Sequence, residues 1–287
     1  MRIAVFSDIH LENKIKGQET QAWLFDHAHA DVVVLAGDIH TKGRGVKWAK
    51  ETFSCPVIYV LGNHEGWGEH WQKIINEMKQ DAQGSNVHVL NNDAVVIDGV
   101  RFLGSTLWTT FDAWPNRQEA MFEAGQGKDM YLPGMRDYKY IRTAGYRKIL
   151  PRDTLEWATQ SRNWLLDQAS KPFDGHTVVV THHAPVLEGL RHQKVTEVYD
   201  AAYANDWEEG VTTINPTVWI YGHTHTPHRF MVGSTQMISH PVGHLSEKLN
   251  PLYQSVVELT PTGCVFHSVP NLLVEPPAPT VHKKVKV

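Results

Sequence analysis

Asp8 and His10, Asp38, Asn63 and His64, His182, and His223 with His225 are the side chains of this 287-residue chain whose types and spacing point to chemistry. Each lies just past a short apolar run, over 3–6, 32–36, 57–61, 176–180 and 217–221. With His64 set aside, the group offers four imidazoles, two carboxylates and one amide oxygen, and no thiolate. Seven potential ligands are too many for one tetrahedral zinc, which takes about four. If one carboxylate is shared, they supply two first-row metals with roughly four protein groups each. Two such ions about 3.5–4 Å apart suit in-line displacement at phosphorus, polarising the phosphoryl oxygens and generating hydroxide from water near neutral pH. The leaving alkoxide must then be protonated. An imidazole beside the metals, with an unperturbed pKa of about 6.5, suits that step, and His64 next to Asn63 is the candidate. The alternating pairs Asp8/His10 and His223/His225 predict extended backbone, where residues two apart point to one side.

These side chains need a scaffold that brings five strand ends to one rim. The runs at 3–6, 32–36 and 57–61 read as strands, with helices expected over 18–30, 46–52 and about 69–83. Near-continuous apolar strands alternating with helices predict a parallel sheet covered on both faces. Ligands of such sheets sit beyond the carboxyl ends of the strands, where all five motifs fall. A hairpin over 94–104 about Asp98-Gly99 adds an antiparallel segment. A helix follows over 153–169, with Asp153 as N-cap and Glu156 completing a capping box. Further hairpins are expected over 229–239 and 253–269. The stretch 108–152, rich in Trp, Phe and Tyr, is long for a connection. It reads either as a partly helical insertion over a site or as a peripheral subdomain packing its own aromatics. One domain over 1–270 is expected, and the Pro- and Lys-containing end at 271–287 reads as an extended or disordered tail.

The five motifs match, in type and order, those of the calcineurin-like metallophosphoesterases, which this sequence resembles from residue 8 to 225: Asp8-Ile9-His10, Gly37-Asp38, Gly62-Asn63-His64-Glu65, His182 and Gly222-His223-Thr224-His225. The resemblance implies an α/β fold, a four-layer αββα sandwich of two mixed sheets flanked by helices. It implies that Asp8, His10 and His225 bind one metal and Asn63, His182 and His223 a second. Asp38 would bridge them and His64 would donate the proton, with manganese, iron or zinc as the metals. The family's protein phosphatases carry Gly-Asp-x-x-Asp-Arg-Gly after the second strand, whose last Asp orients the catalytic His. Here Thr41 stands in that place, which argues against a protein substrate. The compact layout is closer to the bacterial phosphodiesterases and phosphatases, and there is no sign of the extra domains usual in the family's nucleases. A small phosphodiester, cyclic nucleotide or nucleotide-derived, is the expected substrate; a small phosphomonoester is the alternative. A non-catalytic scaffold would be expected to have lost ligands, and none is missing.

Composition is that of an ordinary globular protein, and the net charge of -4 gives no broad electrostatic reason to expect nucleic acid or an anionic membrane as partner. No apolar run approaches the length of a membrane span and the first residues lack a signal-peptide layout, so a cytoplasmic protein is expected. Two cysteines exclude a disulfide framework. Arg142 and Arg136 in the insertion are candidates to clamp a phosphate bidentately. Glu65 is expected to hold His64 or Asn63 by a hydrogen bond. His40 and His183 adjoin motif residues; His240 and His244 sit in a loop that could reach the site. His27, His29, His70, His88, His176, His192 and His282 read as surface or helix residues.

Overall fold

The alternation of apolar side chains along the strands sorts the molecule into layers. In the computed structural model, which describes residues 1–13, 30–127, 133–243 and 253–270, Ile3 and Val5 of β1 (Arg2–Phe6) point one way and Ala4 and Phe6 the other, and every one is buried. β2 (Val32–Ala36), β3 (Val57–Val60) and β4 (Val87–Leu90) continue this sheet in parallel. The second sheet contains β5 (Asp93–Ile97), β6 (Val100–Ser105), β7 (Thr177–Thr181), β8 (Val218–Tyr221), β9 (His228–Val232) and β10 (Thr235–Ser239). β11 (Tyr253–Thr260) and β12 (Gly263–Pro270) return to the first. The orders are β12-β11-β1-β2-β3-β4 and β5-β6-β7-β8-β10-β9. Both sheets are mixed: β11 runs antiparallel to β1, and β5 and β9 are antiparallel edges on an otherwise parallel second sheet.

Ile3, Val5, Val34, Ile58 and Val60 face Val100, Phe102, Val178, Val180 and Ile220 to form the core between the sheets. The outer face of the first sheet is covered by α1 (Arg44–Thr52) and α2 (Trp71–Ala82) with residues of the insertion, including Trp108, Phe111 and Ile141. The outer face of the second packs Leu103, Val179 and Trp219 against Leu165 and Val211. This is the expected helix–sheet–sheet–helix arrangement. Strands buried on both faces need no polar alternation, which is why their sequences read as continuous apolar runs.

The 94–104 hairpin closes on Asp98 and Gly99, both at positive φ (46° and 76°), the backbone of a type I′ turn. In the insertion, α3 (Arg117–Gln126) and α4 (Asp137–Tyr140) form. The long helix α5 (Pro151–Ser170) begins earlier than expected, with Leu150 as N-cap. Pro151 suits the first turn, where its missing N–H costs nothing. Asp153 is therefore inside the helix, and its carboxylate reaches back to accept the Leu150 N–H at 2.7 Å. Glu156 accepts from Gln160 one turn on and takes no part in a cap. α6 (Glu208–Ile214) was not evident from the sequence. Most of the helix expected over 18–30, and the tail from 271, lie outside the described residues.

Arg162 of α5 grips Asp112 with both guanidinium nitrogens, at 2.8 and 3.3 Å, and adds a 2.7 Å bond to Asn205 Oδ1. Burial works against the Asp112 charge, but Arg162 more than offsets it and holds the carboxyl below its usual range. A depressed native pKa contributes stability above the unfolded value of about 4 and loses it as pH falls through the native one. Asp112→Asn should lower the thermal midpoint at neutral pH, and the gap from wild type should close below about pH 4. A pH series of thermal melts checks this; a gap that stays constant into acid would rule out the linkage.

Candidate metal centre

All five predicted strand ends converge. Beyond β1, β2, β3, β7 and β8, the chain leaves the sheets and places Asp8, His10, Asp38, Asn63, His182, His223 and His225 around one point. The backbone there is not the extended form expected from the alternating pairs. Asp8, His10, Asp38, His223 and His225 have φ of 52°, 49°, 56°, 68° and 49°. Non-glycine residues seldom adopt this left-handed conformation, which costs energy and persists where surrounding structure enforces it. Gly62 does not serve the turn through positive φ. It leaves space, because a Cβ there would overlap Asp38 Oδ1.

Two ligand groups emerge from the geometry. Asp8, His10 and His225 form one: His10 Nε2 is 3.0 Å from His225 Nε2, and His225 Nε2 is 3.4 Å from Asp8 Oδ1. Asp38, His182 and His223 form the other: His182 Nε2 lies 3.4 Å from Asp38 Oδ1, 3.2 Å from His223 Nδ1 and 3.0 Å from Asn63 Oδ1. Asp38 also approaches the first group, its Oδ2 being 3.9 Å from His10 Nε2. Lone pairs of neutral imidazoles and carboxylate oxygens repel when they face one another this closely, and a shared cation removes the conflict. Two ions bridged by a carboxylate fit this donor set.

His10, His182 and Asn63 are each tied to the protein by the edge opposite the centre, which fixes their orientation, whereas His223 Nε2 has no hydrogen-bond partner among the described residues. His10 Nδ1 lies 3.2 Å from Glu12 Oε1, His182 Nδ1 donates to Ala36 O at 2.9 Å, and Asn63 Nδ2 donates to Asp137 Oδ1 at 2.8 Å. Each leaves Nε2 or Oδ1 facing the centre. Asp8 accepts from Ser7 Oγ and from the His223 N–H. Burial opposes the charge on Asp38, yet His182, His64 and His10 hold its carboxyl well below the usual range. The fully buried His183 is pushed down to about 3 by burial and by His182. As a neutral ring it donates to Thr106 O and packs 4.1 Å from the His223 ring.

His64 sits beside the ligands, with Nε2 3.8 Å from Asp38 Oδ2. Its Nδ1 is 2.8 Å from Glu12 Oε1, and its ring stacks on Trp67 at 3.6 Å. Burial disfavours the imidazolium, but Asp38 and Glu12 outweigh it and raise the pKa above the ordinary value. Glu12 thus holds the far side of His64, reaching it from the first strand end. Sequence reasoning passed over Glu12, although it stands two residues after His10. It also missed Asp137, which binds both Asn63 and the Trp67 indole N–H.

Glu65 corrects an expectation. It makes no hydrogen bond to the His64 or Asn63 side chain among the described residues. Its carboxylate, with no solvent exposure, accepts the N–H groups of Asp38, Ile39 and Gly62 at 3.1, 2.9 and 2.7 Å and the Tyr59 hydroxyl at 2.9 Å. It ties the Asp38 loop to the Asn63 loop. Every partner is a donor, so Glu65→Gln would set an NH₂ against N–H groups, at a cost of about 1–3 kcal/mol. The expected result is a lower thermal midpoint together with weaker metal retention, measured by calorimetry and metal analysis. An unchanged midpoint would remove Glu65 from the framework.

Arg142 is not placed as a phosphate clamp. Its guanidinium donates to Lys139 O and Ile141 O, and its backbone pairs with Glu69 and Trp71. Of the two arginines suggested by the sequence, only Arg136 lines the cavity above the ligands. That cavity, of about 630 Å³, is floored by Asp38, Asn63, His64, His223 and His225. Residues 133–137 of the insertion line the cavity, whereas its Trp108 and Phe111 belong to the main core over the first sheet and not to a subdomain of their own. His240 does not line it; its ring packs against Phe6 and bonds Ser255 Oγ. His176 is a half-buried bridge between Thr217 Oγ1 and Thr260 O, not a surface residue. His27, His29, His244 and His282 lie outside the described residues.

Comparison with known proteins agrees with this geometry. A protein of Acanthamoeba polyphaga mimivirus is 26% identical over 284 residues, covering 87% of this chain and 94% of that protein. The fold is similar to the phosphopantetheinyl hydrolase of Mycobacterium tuberculosis, with a TM-score of 0.65 and 16% identity over 85% of this chain and 90% of the other. It is similar also to a dimetal phosphatase of Danio rerio, with a TM-score of 0.51 and 13% identity over 94% and 96% of the two chains. The sequence profile of the calcineurin-like phosphoesterases matches residues 1–227. The chain belongs to the calcineurin-like phosphoesterase family and is a metallophosphoesterase.

Proposed function

We propose that this protein hydrolyses a small phosphodiester, such as a cyclic nucleotide or a nucleotide-derived ester, with His64 as proton donor to the leaving oxygen. Asp8, His10 and His225 would hold one first-row metal ion, Asn63, His182 and His223 the other, and Asp38 both. Manganese, iron and zinc suit these N and O donors. When bound, such ions polarise phosphoryl oxygens and lower the pKa of water. The observation that carries the reading is the position of His64, which shares Asp38 with both ligand groups while its Nδ1 is held by Glu12. A donor fixed this way presents Nε2 to the space where a leaving oxygen would depart. The cavity of about 630 Å³ supports a diester, since a phosphate alone fills only a small part and each ester arm needs room. Among the described residues no helix is long and apolar enough to cross a membrane, and the proposed setting is the cytoplasm.

A manganese-supplemented screen of bis-p-nitrophenyl phosphate, p-nitrophenyl phosphate, cyclic nucleotides and a phosphopeptide tests the proposal. Diesters should be turned over faster than p-nitrophenyl phosphate, and the phosphopeptide least. A preference for p-nitrophenyl phosphate would make the protein a phosphomonoesterase. No turnover of any of them by metal-replete protein would favour a binding role.

A further inference from the structure

Two arginines, Arg136 and Arg191, line the cavity without a counter-ion among the described residues. We propose that Arg136 and Arg191 form a second anion-binding subsite, so that the substrate is a phosphoester carrying another phosphate away from the scissile bond. The inference rests on the phosphoesterase reading of the floor below. Arg136 comes from the insertion, immediately before α4, and Arg191 from the loop after the turn Leu187–Gly189. Segments far apart in sequence therefore bring two cations to the cavity that holds Asp38, Asn63 and His223.

The absence of pairing is informative here because suitable acids are near. Glu197 and Asp200 line the same cavity, and either could have neutralised an arginine. Asp200 is spent on its own turn, its Oδ2 accepting the N–H groups of Thr196 and Glu197 at 2.6 and 3.0 Å, and Glu197 makes no ion pair with either arginine. Asp137 is occupied by Asn63 and Trp67. Elsewhere Arg147 and Arg162 make two-pronged pairs with Asp153 and Asp112. Arg136 and Arg191 make no ion pair or side-chain hydrogen bond among the described residues. Both arginines are solvent-exposed, and both line the concave space that has the candidate metal ligands at its base. Guanidinium presents planar donors that match phosphate oxygens, and two of them match the charge of a phosphate dianion. The scissile phosphate would have the charge at the floor as its counter-ion, which leaves the two arginines for a different group.

The test uses a matched pair of esters with the same scissile bond: thymidine 5′-(p-nitrophenyl phosphate), and the same compound bearing a 3′-phosphate. With manganese-loaded wild type, the 3′-phosphate should lower KM by about tenfold or more, the scale of a charge-assisted contact, with kcat little changed. In the double variant Arg136→Ala/Arg191→Ala the KM values of the two esters should converge, and the corresponding double Lys variant should recover part of the difference. Equal losses on both esters would mean that the arginines clamp the scissile phosphate, which overturns the subsite. A wild type indifferent to the 3′-phosphate overturns it too. If neither ester is turned over, it is the catalytic reading that fails, and calorimetry still decides the subsite. Thymidine 3′,5′-bisphosphate should then bind about tenfold tighter than thymidine 5′-monophosphate, with the advantage lost in the double variant; equal affinities sink the proposal.

Discussion

Asp38→Asn should cost the protein tight binding of its second metal ion and lower turnover of every phosphoester by about a thousandfold or more. That is above the roughly 10–100-fold typical of residues that merely orient a ligand. Asp38 is the carboxylate that approaches both ligand groups, with Oδ1 3.4 Å from His182 Nε2 and Oδ2 3.9 Å from His10 Nε2. Oδ1 also accepts the His64 N–H at 2.9 Å. An amide of the same shape has one oxygen. If it keeps the His64 bond, its NH₂ faces the His10 side and cannot ligate; if it turns round, the NH₂ meets a backbone N–H. Either way a charge and an acceptor are lost where two cations would sit, and no neighbour compensates. Metal analysis of the purified variant should show clearly less than two ions per chain, with a folded protein by circular dichroism. Two tightly held ions and full activity would disprove the bridging role.

What the sequence made legible, and what it concealed, separate along a physical line. The convergence of the candidate ligands could be expected because each directly follows an apolar run, and parallel strands deliver their ends to one rim whatever the loops do. The layers could be found because strands buried on both faces lose polar alternation. Neither rule reaches the groups that orient the ligands. Asp137 meets Asn63 across 74 residues, through an insertion whose path no periodicity encodes. Glu12 is close in sequence to His10 but reaches His64 only because the chain after β1 turns into the short helical turn Leu11–Asn13. Glu65 looked like a partner for its neighbours, yet its bonds go to backbone N–H groups at the end of a different strand. The left-handed backbone at five of these positions falls on Asp and His, types enriched in that conformation, but an alternating pair after an apolar run reads as extended chain and hides it. β4 escaped notice because Val87-His88-Val89-Leu90 is too short to show a period against its surroundings.

The pair Glu12 and His64 yields the second large effect. General-acid catalysis contributes about 10²–10⁴-fold, and only where the departing oxygen needs a proton. His64→Ala should therefore slow hydrolysis of an alkyl diester, whose alkoxide leaves poorly, by about that factor. Turnover of bis-p-nitrophenyl phosphate, whose leaving group is stable as the anion, should change by less than about tenfold. Glu12→Gln should show the same selectivity at about 10–100-fold, the scale of an orienting partner. It would keep the shape but remove the charge that fixes Nδ1–H toward Oε1 and favours the protonated ring. Glu12 also contacts His10 at 3.2 Å, so a general loosening of the centre is the competing explanation, and it would depress both esters alike. The geometry contains one rival role for His64 itself, because His64, His10 and Asp38 form a further trio able to converge on a cation. Metal content decides between them. A donor can be removed without loss of metal, whereas a ligand cannot, so His64→Ala with two ions bound and a deficit confined to the poor leaving group would establish the proton donor. The same variant with an ion missing and both esters slowed would move His64 into the coordination sphere.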